Sequence, residues 1–355
     1  MSVRAEWIAE PERLAEIAGD WDRLADADPA PFSRRAWLAP WWTAFGTRRG
    51  LRTCTVWDDA ELIAALPMCD DGARRLTGTA NAHTPTYRPL ARDAAARAGL
   101  ADALVSSGAE LRLDAVPAEE PDTRAVLHGV AARGARSVLE PGYVSPIVDT
   151  RGSFDAYREG LKSRWRELER RGRKMAREHE VKTMAVAPPG NLDRELAEGL
   201  ELEAAGWKGQ KRTAVLSDPA TVAFYHEMAR AFHDRGELRL SSLRMDGRLV
   251  AFDLALLHRG RYFLLKTAYD ESLRTLSPGL VLRRAVVEQC FALGLEAHEF
   301  LGTDMEWKRL FATGERRHFV WRAYPRGVAT TLRYTYRRHA RPRLRSAYVR
   351  VRRPD

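Results

Sequence analysis

The stretch "RTLSPGLVLRRA", residues 274–285, joins a strand-like run to a helix-like run and places Ser277, Pro278 and Gly279 at the junction. Ser is a favoured N-cap, Pro fits the first helical position, and Gly leaves the backbone open. The unpaired amides and positive dipole end of a helix start can hold an anion, and Gly next to them lets a phosphate approach. Arg274, Arg283 and Arg284 bring positive charge to the turn, and Leu280 lies within it. The same triplet also works as plain helix punctuation, and local sequence leaves both readings open. Asp253 poses a second question, because it interrupts the apolar strand "VAFDLALL". A carboxylate there must face a cleft or meet an arginine, since burial without a partner is costly. Tyr269 and Asp270 end the strand that leads into the turn, where they can touch a substrate. Lys308 in "MEWKRLF" is the first choice for a functional cation, against a surface lysine on a short helix; Asp304 ahead of it contacts substrate or caps that helix.

The elements that position these residues follow from periodicity. "ELRLSSLRM" (237–245), "RLVAFDLALLH" (248–258) and "RYFLLKTAYD" (261–270) read as a three-strand meander, with Asp246-Gly247 and Arg259-Gly260 as two-residue turns. A helix over 278–293, a short strand "HEFLG" (298–302) and a last strand "HFVWRAY" (318–324) follow. Helices over 191–206 and 219–235 precede the meander, the second with Asp218 as cap and Pro219 in its first turn. Upstream, Ser153 caps a helix whose stripe of Phe154, Tyr157, Leu161, Trp165, Leu168 and Met175 is apolar. Its other faces carry nine cations against four acids over residues 158–178, which is either a solvated face or a wall that attracts a phosphorylated ligand. The first 150 residues hold strand candidates at 51–57, 61–68, 74–80 and 109–116 and a tryptophan-rich helix pair around 11–24 and 34–46. "EPGYVSPIVDT" (140–150) reads as a crossing segment between domains.

The chain has 355 residues and a net charge of +10, enough for two medium domains. The charge is concentrated: residues 326–355 hold ten arginines and one acid, while the rest holds 48 basic and 47 acidic side chains. The basic excess therefore belongs to the tail and does not mark the body as a nucleic-acid binder. The tail also carries Leu332, Tyr334, Tyr336 and Tyr348, with Pro342 interrupting any long helix; a peripheral extension, docking on anionic lipid and nucleic-acid contact are its readings. No run of uncharged apolar residues is long enough to span a bilayer, and the N-terminus lacks a signal-peptide pattern. Three cysteines without metal-type spacing point to a reducing compartment and to no metal site.

"ELEAAGWKG" (201–209), "AYDESLRTLSPGLVL" (268–282) and "FLGTDMEWKRLF" (300–311) together resemble the CelD-type acetyltransferase family of the GNAT superfamily, a relative of the Fem-type peptidyltransferases. "LKSRWRELERRGRKMAREHEV" (161–181) resembles the basic helix that opens the second domain in these families. The resemblance spans about residues 151–325. The usual signature Q/R-x-x-G-x-G/A is met as Arg274-x-x-Ser277-x-Gly279, with Ser in place of the first glycine.

The resemblance implies an α+β fold of tandem GNAT-like units, the first degenerate (1–150), the second complete (151–325), then a basic tail (326–355). It implies an acyl-CoA co-substrate, acetyl-CoA or another, whose pyrophosphate rests on Arg274, Ser277, Pro278, Gly279, Leu280 and Arg283, with no metal. Lys308 matches the family's Lys after an aromatic and, by resemblance to the Fem group, stabilises charge on the reacting carbonyl. Glu203 and Trp207-Lys208 match an E…WK element: Glu203 as base or amine ligand, or a helix-surface acid; Trp207 as acceptor-pocket wall, or core. Asp253 is the third catalytic candidate, and Trp207, Lys208, Tyr269, Asp270 and Asp304 are substrate contacts. Direct acyl transfer needs a proton acceptor and an oxyanion donor but no covalent intermediate, consistent with a chain lacking a G-x-S-x-G elbow.

The expected activity is cytoplasmic N-acyl transfer from acyl-CoA to an amine of a small molecule, sugar or cell-envelope precursor, with association at the inner membrane face open. The alternatives are a Fem-like transferase using aminoacyl-tRNA and a non-catalytic partner of a membrane polysaccharide synthase.

Overall fold

The structure is a computed structural model and describes residues 3–46, 49–72 and 74–340. The first half runs β1 (Val3–Ile8), α1 (Pro11–Glu16), α2 (Ala18–Asp26), α3 (Arg35–Trp41), β2 (Gly50–Leu51), β3 (Thr53–Asp58), β4 (Glu61–Leu66), β5 (Met68–Asp70), β6 (Arg75–Gly78), β7 (Leu90–Ala91), α4 (Ala94–Ser106), β8 (Glu110–Val116), α5 (Pro121–Ala132) and β9 (Arg136–Asp149). The second runs α6 (Phe154–Gly160), α7 (Lys162–Glu178), β10 (Val181–Ala187), α8 (Leu192–Ala205), α9 (Trp207–Gln210), α10 (Pro219–Asp234), β11 (Leu238–Met245), β12 (Arg248–His258), β13 (Arg261–Tyr269), α11 (Pro278–Ala292), β14 (Ala297–Glu299), α12 (Glu306–Arg309), β15 (Gly314–Tyr324) and α13 (Val328–Thr335).

A four-stranded sheet has the order β1-β3-β4-β7, and an eleven-stranded sheet the order β10-β11-β12-β13-β14-β9-β15-β8-β6-β5-β2. Two of its pairings are parallel, β13 with β14 and β6 with β8. Each joins strands separated by a crossover helix, α11 in the second half and α4 in the first, so the halves repeat one plan of tandem GNAT-like units. The halves also exchange strands. β9 from the first half pairs with β14, and β15 from the second pairs with β8. The two long strands pair with each other over residues 136–147, which makes the sheet continuous.

The turns form as their residues require. Asp246 and Gly247 have φ of 49° and 80°, and Arg259 and Gly260 have 44° and 71°, the left-handed pair that a tight hairpin needs. Asp218 accepts from the Thr221 amide at 2.9 Å and starts α10 with Pro219 behind it. α10 buries Phe224, Tyr225, Met228 and Phe232 against Trp37, Leu200, Leu254 and Phe263. α7 buries Trp165, Leu168 and Met175 against Val281 and Val286 of α11.

Three expectations change. The helix expected from Ser153 through 177 breaks at Leu161 into α6 and α7. Residues 140–150 are mostly strand: Pro141 and Pro146 are partnered by β15 alone, because the pairing of β9 with β14 begins at Ile147, so neither ring removes a donor from the β14 ladder. The tail begins with α13, whereas Pro342 and Tyr348 lie outside the described residues.

Candidate active site

β13 and β14 are paired over three positions only, from Arg261 with Ala297 to Phe263 with Glu299. β13 then continues to Tyr269 while the other chain turns toward α12, and the strands fork. A cavity of about 870 Å³ occupies the fork, with residues 264–269 on one arm and 300–303 on the other. Residues 81–85, Asp114 and Ala115 of the first half close the opposite wall, with Gly142 and Tyr143 of β9. The site is therefore built by both units. The register of β13 against β12 shifts between Leu264 and Lys266, so Leu265 is an extra residue on the cavity-lining arm.

Three lysines reach this cavity from three elements: Lys208 from α9, Lys266 from β13 and Lys308 from α12. Glu203 on α8 is the counter-charge of Lys208 and Lys266. Its Oε1 accepts from Lys208 Nζ at 2.8 Å and lies 3.8 Å from Lys266 Nζ, and its Oε2 accepts from the Val215 amide at 2.9 Å. Burial works against the Glu203 carboxylate, yet Lys266, Lys208 and the Val215 amide outweigh it and hold the pKa below the usual value. Burial pulls the pKa of Lys208 and Lys266 down, opposed by Glu203. Lys208 also donates to Thr267 O at 2.9 Å, whereas Lys266 Nζ sits 4.9 Å from the Tyr225 ring. Lys308 is 6% exposed and donates to Leu301 O at 2.6 Å and Thr303 O at 2.7 Å. Burial lowers its pKa to about 8, against the pull of Asp304.

The 274–285 turn borders the same space. Arg274, Ser277, Gly279 and Leu280 line it. Ser277 occupies the cap position with a left-handed φ of 53°, and its hydroxyl caps nothing: it donates to Arg274 O at 3.1 Å and accepts from Arg171 of α7. That correction has a geometric cause, since a cap needs extended backbone to aim its oxygen at the helix amides. The Gly279 amide has no acceptor among the described residues, while Leu280 and Val281 donate to Ser277 O. A Cβ on Gly279 would stand 3.3 Å from three atoms of the Tyr269 side chain. Leu280 also lines an adjoining groove of about 140 Å³ with Arg164 and Arg171 of the basic helix. The residues present thus fit an anionic donor: a free amide, a glycine approach and cations from two elements.

Of the residues expected from sequence, Glu203, Trp207, Lys208, Tyr269, Arg274, Ser277, Gly279, Leu280 and Lys308 converge on the cavity. Five stand elsewhere. Asp253 and Arg283 are each 1% exposed and paired at 2.6 Å, with His298 Nε2 3.0 Å from Arg283. Asp253 thus meets an arginine rather than a cleft, and Arg283, spent on that carboxylate inside the core, cannot reach a donor phosphate. Asp270 pairs with Arg248 and accepts from the Ser272 amide and hydroxyl at 3.0 and 2.6 Å, fixing the turn. Asp304 pairs with Arg309 outside the cavity lining. Pro278 is buried at the start of α11 and lines neither cavity.

Sequence reasoning passed over Lys266, Tyr225 and His83. Lys266 had the same signal as Asp253, a charge inside an apolar strand. His83 lies in a loop of the first half and stacks on Phe45 at 5.6 Å; burial and Lys266 lower its pKa to about 4, so it is neutral. Only the meeting of the two halves brings it to the site. Among the described residues no cluster of His, Cys, Asp and Glu is placed to hold a metal ion.

Residues 157–309 match the model of the acetyltransferase (GNAT) domain. No curated protein matches the sequence significantly. Among solved structures, FemX superposes with a TM-score of 0.62 at 12% identity over 91% of this chain and 97% of its own. The C-terminal domain (DUF2156) of an Agrobacterium fabrum protein assigned as a lysylphosphatidylglycerol synthetase gives 0.55 at 13% identity, over 90% and 94%. L-PGS from Bacillus licheniformis gives 0.51 at 13%, over 93% and 96%. Such identities speak to fold, and they agree with the repeated strand-crossover plan seen here. The domain match covers the forked strands, the glycine turn and Lys308: the second unit carries an acetyltransferase (GNAT) domain, and the protein is a transferase enzyme.

Proposed function

We propose that the protein is an N-acyltransferase that moves an acyl group from acyl-CoA to a primary amine of a small molecule, sugar or cell-envelope precursor in the cytoplasm. The observation that carries this reading is one cavity containing both the free Gly279 amide beside Arg274 and the buried Lys308 ammonium. In this reading residues 151–325 hold the donor and residues 1–150 close the acceptor side.

The chemistry assigns work to this chain's own groups. The acceptor nitrogen attacks the thioester carbonyl; the C–N bond forms, the C–S bond breaks, and the amine's proton leaves as the CoA thiol is released. Negative charge gathers on the carbonyl oxygen, and a preorganised donor is worth most there. Below pH 8 Lys308 is an ammonium with three N–H bonds, two of them fixed on Leu301 O and Thr303 O. The third serves the oxyanion. Glu203, with both oxygens engaged, acts as a positioning residue for Lys208 and Lys266 rather than as the base. Lys266 and Trp207 face the acceptor.

The test is release of free CoA thiol from acetyl-CoA in the presence of an amine panel, with Lys308→Met as control. Turnover that requires Lys308 supports the reading; no CoA binding and no turnover with any amine removes it. A second reading, aminoacyl-tRNA as donor, is favoured by Arg171 of the basic helix reaching Ser277. Transfer from charged tRNA, steeply weakened by salt, decides for it.

A further inference from the structure

α13 presents two unlike faces. Inward, Thr331 accepts from Arg136 at 2.6 Å, and the Tyr334 ring lies 6.1 Å from Tyr324. Outward, Val328, Leu332 and Tyr336 are 81%, 67% and 51% exposed. Their spacing of four puts them on one stripe along the helix and its continuation through Ala340. Three large apolar side chains in line, all facing solvent, need a partner that accepts hydrocarbon.

The charge beside the stripe says which partner. Arg333 and Arg338 flank it on its two sides. Arg333 is tied to Glu110 at 3.2 Å and Arg337 to Glu140 at 3.6 Å, while Arg338 has no acidic partner among the described residues. Sequence beyond Ala340 adds six more arginines against one acid, Asp355. An apolar stripe edged by cations is the pattern of a helix lying in a membrane interface.

We propose that the outward face of α13 docks the protein on an anionic lipid bilayer. Val328, Leu332 and Tyr336 enter the headgroup boundary, Arg338 beside them meets lipid phosphates, and the basic sequence beyond Ala340 adds to the attraction. Nucleic acid would satisfy the arginines but leave the stripe in water. A second copy, or the chain's own last residues, would bring like charge against like charge. The docking is independent of which donor or acceptor the active site takes.

The experiment is co-sedimentation of the full chain with vesicles of phosphatidylcholine alone and of equal parts phosphatidylcholine and phosphatidylglycerol, at low and high salt. The comparison protein is the double variant Val328→Glu/Leu332→Glu, with circular dichroism as the check of folding; both positions are exposed, so the fold is retained. The expected result is binding to the anionic vesicles only, released by salt, and at least about tenfold weaker in the variant. Binding unchanged in the variant, equal binding to neutral vesicles, or no binding overturns the proposal. So does a dimer that the variant converts to monomer, or tRNA binding by both proteins without vesicle binding.

Discussion

Lys208 Nζ stands 2.8 Å from Glu203 Oε1 and 2.9 Å from Thr267 O, so one ammonium ties α8 to the cavity-lining arm of β13. Lys266 shares the same carboxylate at 3.8 Å. Two cations at the rim of a cavity thus depend on one buried acid. Glu203→Ala removes the ion-pair partner that Lys208 and Lys266 share and leaves the Val215 amide unpaired. Its expected cost is about 3–5 kcal/mol in urea unfolding, with Glu203→Gln costing less because it still accepts hydrogen bonds. A loss below 1 kcal/mol in the Ala variant would show that the lysines find other partners.

Lys308 sets a pH dependence. Its folded pKa of about 8 lies below the ordinary lysine value, chiefly because it is buried. The ammonium required at the carbonyl oxygen is present below pH 8 and lost above it. The turnover number therefore falls as pH rises through 8, and Lys308→Arg, charged at every accessible pH, loses that limb even if its rate is lower. A limb that persists in the Arg variant assigns it to another group.

Asp253 and Arg283 form a pair inside the second unit's core rather than a catalytic element. Asp253→Asn or Arg283→Met should each cost about 3–5 kcal/mol of stability, while the double change to Leu and Met recovers a large part. Activity per folded molecule in the Asn variant should stay within a few-fold of wild type if it folds. A loss of turnover by orders of magnitude at unchanged stability would return Asp253 to the active site.

Gly279 tests the donor turn. An added Cβ meets Tyr269 at 3.3 Å and stands beside the free amide. Gly279→Ala should weaken CoA binding by about tenfold in calorimetric titration, with little change in melting temperature because Ala favours the helix. Adding Tyr269→Ala should relieve the contact with Tyr269 but not the crowding of the phosphate. Full recovery of affinity in the double variant would mean that the glycine serves packing alone.

The meander, its two hairpin turns and α11 were legible because their signals are local: alternation, Asp-Gly and Arg-Gly turns, and a Pro at the helix start. The break at Leu161 was not, since the apolar stripe runs through it and the change of direction comes from packing on α11. β9 was hidden by its prolines, which are tolerated because both fall where the strand has β15 as its one ladder partner, before the β14 pairing begins at Ile147. β10 was missed because its pattern is half-exposed and weakly alternating. At the site, residues within a motif were found, Lys308 and Gly279 among them. Lys266, Tyr225 and His83 required knowing that the first half folds against the fork. Asp253 and Arg283 show the limit of a single signal: a charge in an apolar strand indicates a partner, and only tertiary structure says whether that partner is substrate or protein.

Hydrogen–deuterium exchange of the full chain with and without saturating CoA tests the central claim most directly. The account predicts added protection at residues 264–269 and 274–281, the cavity-lining arm of β13 and the turn ahead of α11, with little change at β3 or β4. Protection confined to other segments, or none at saturating CoA, would contradict it.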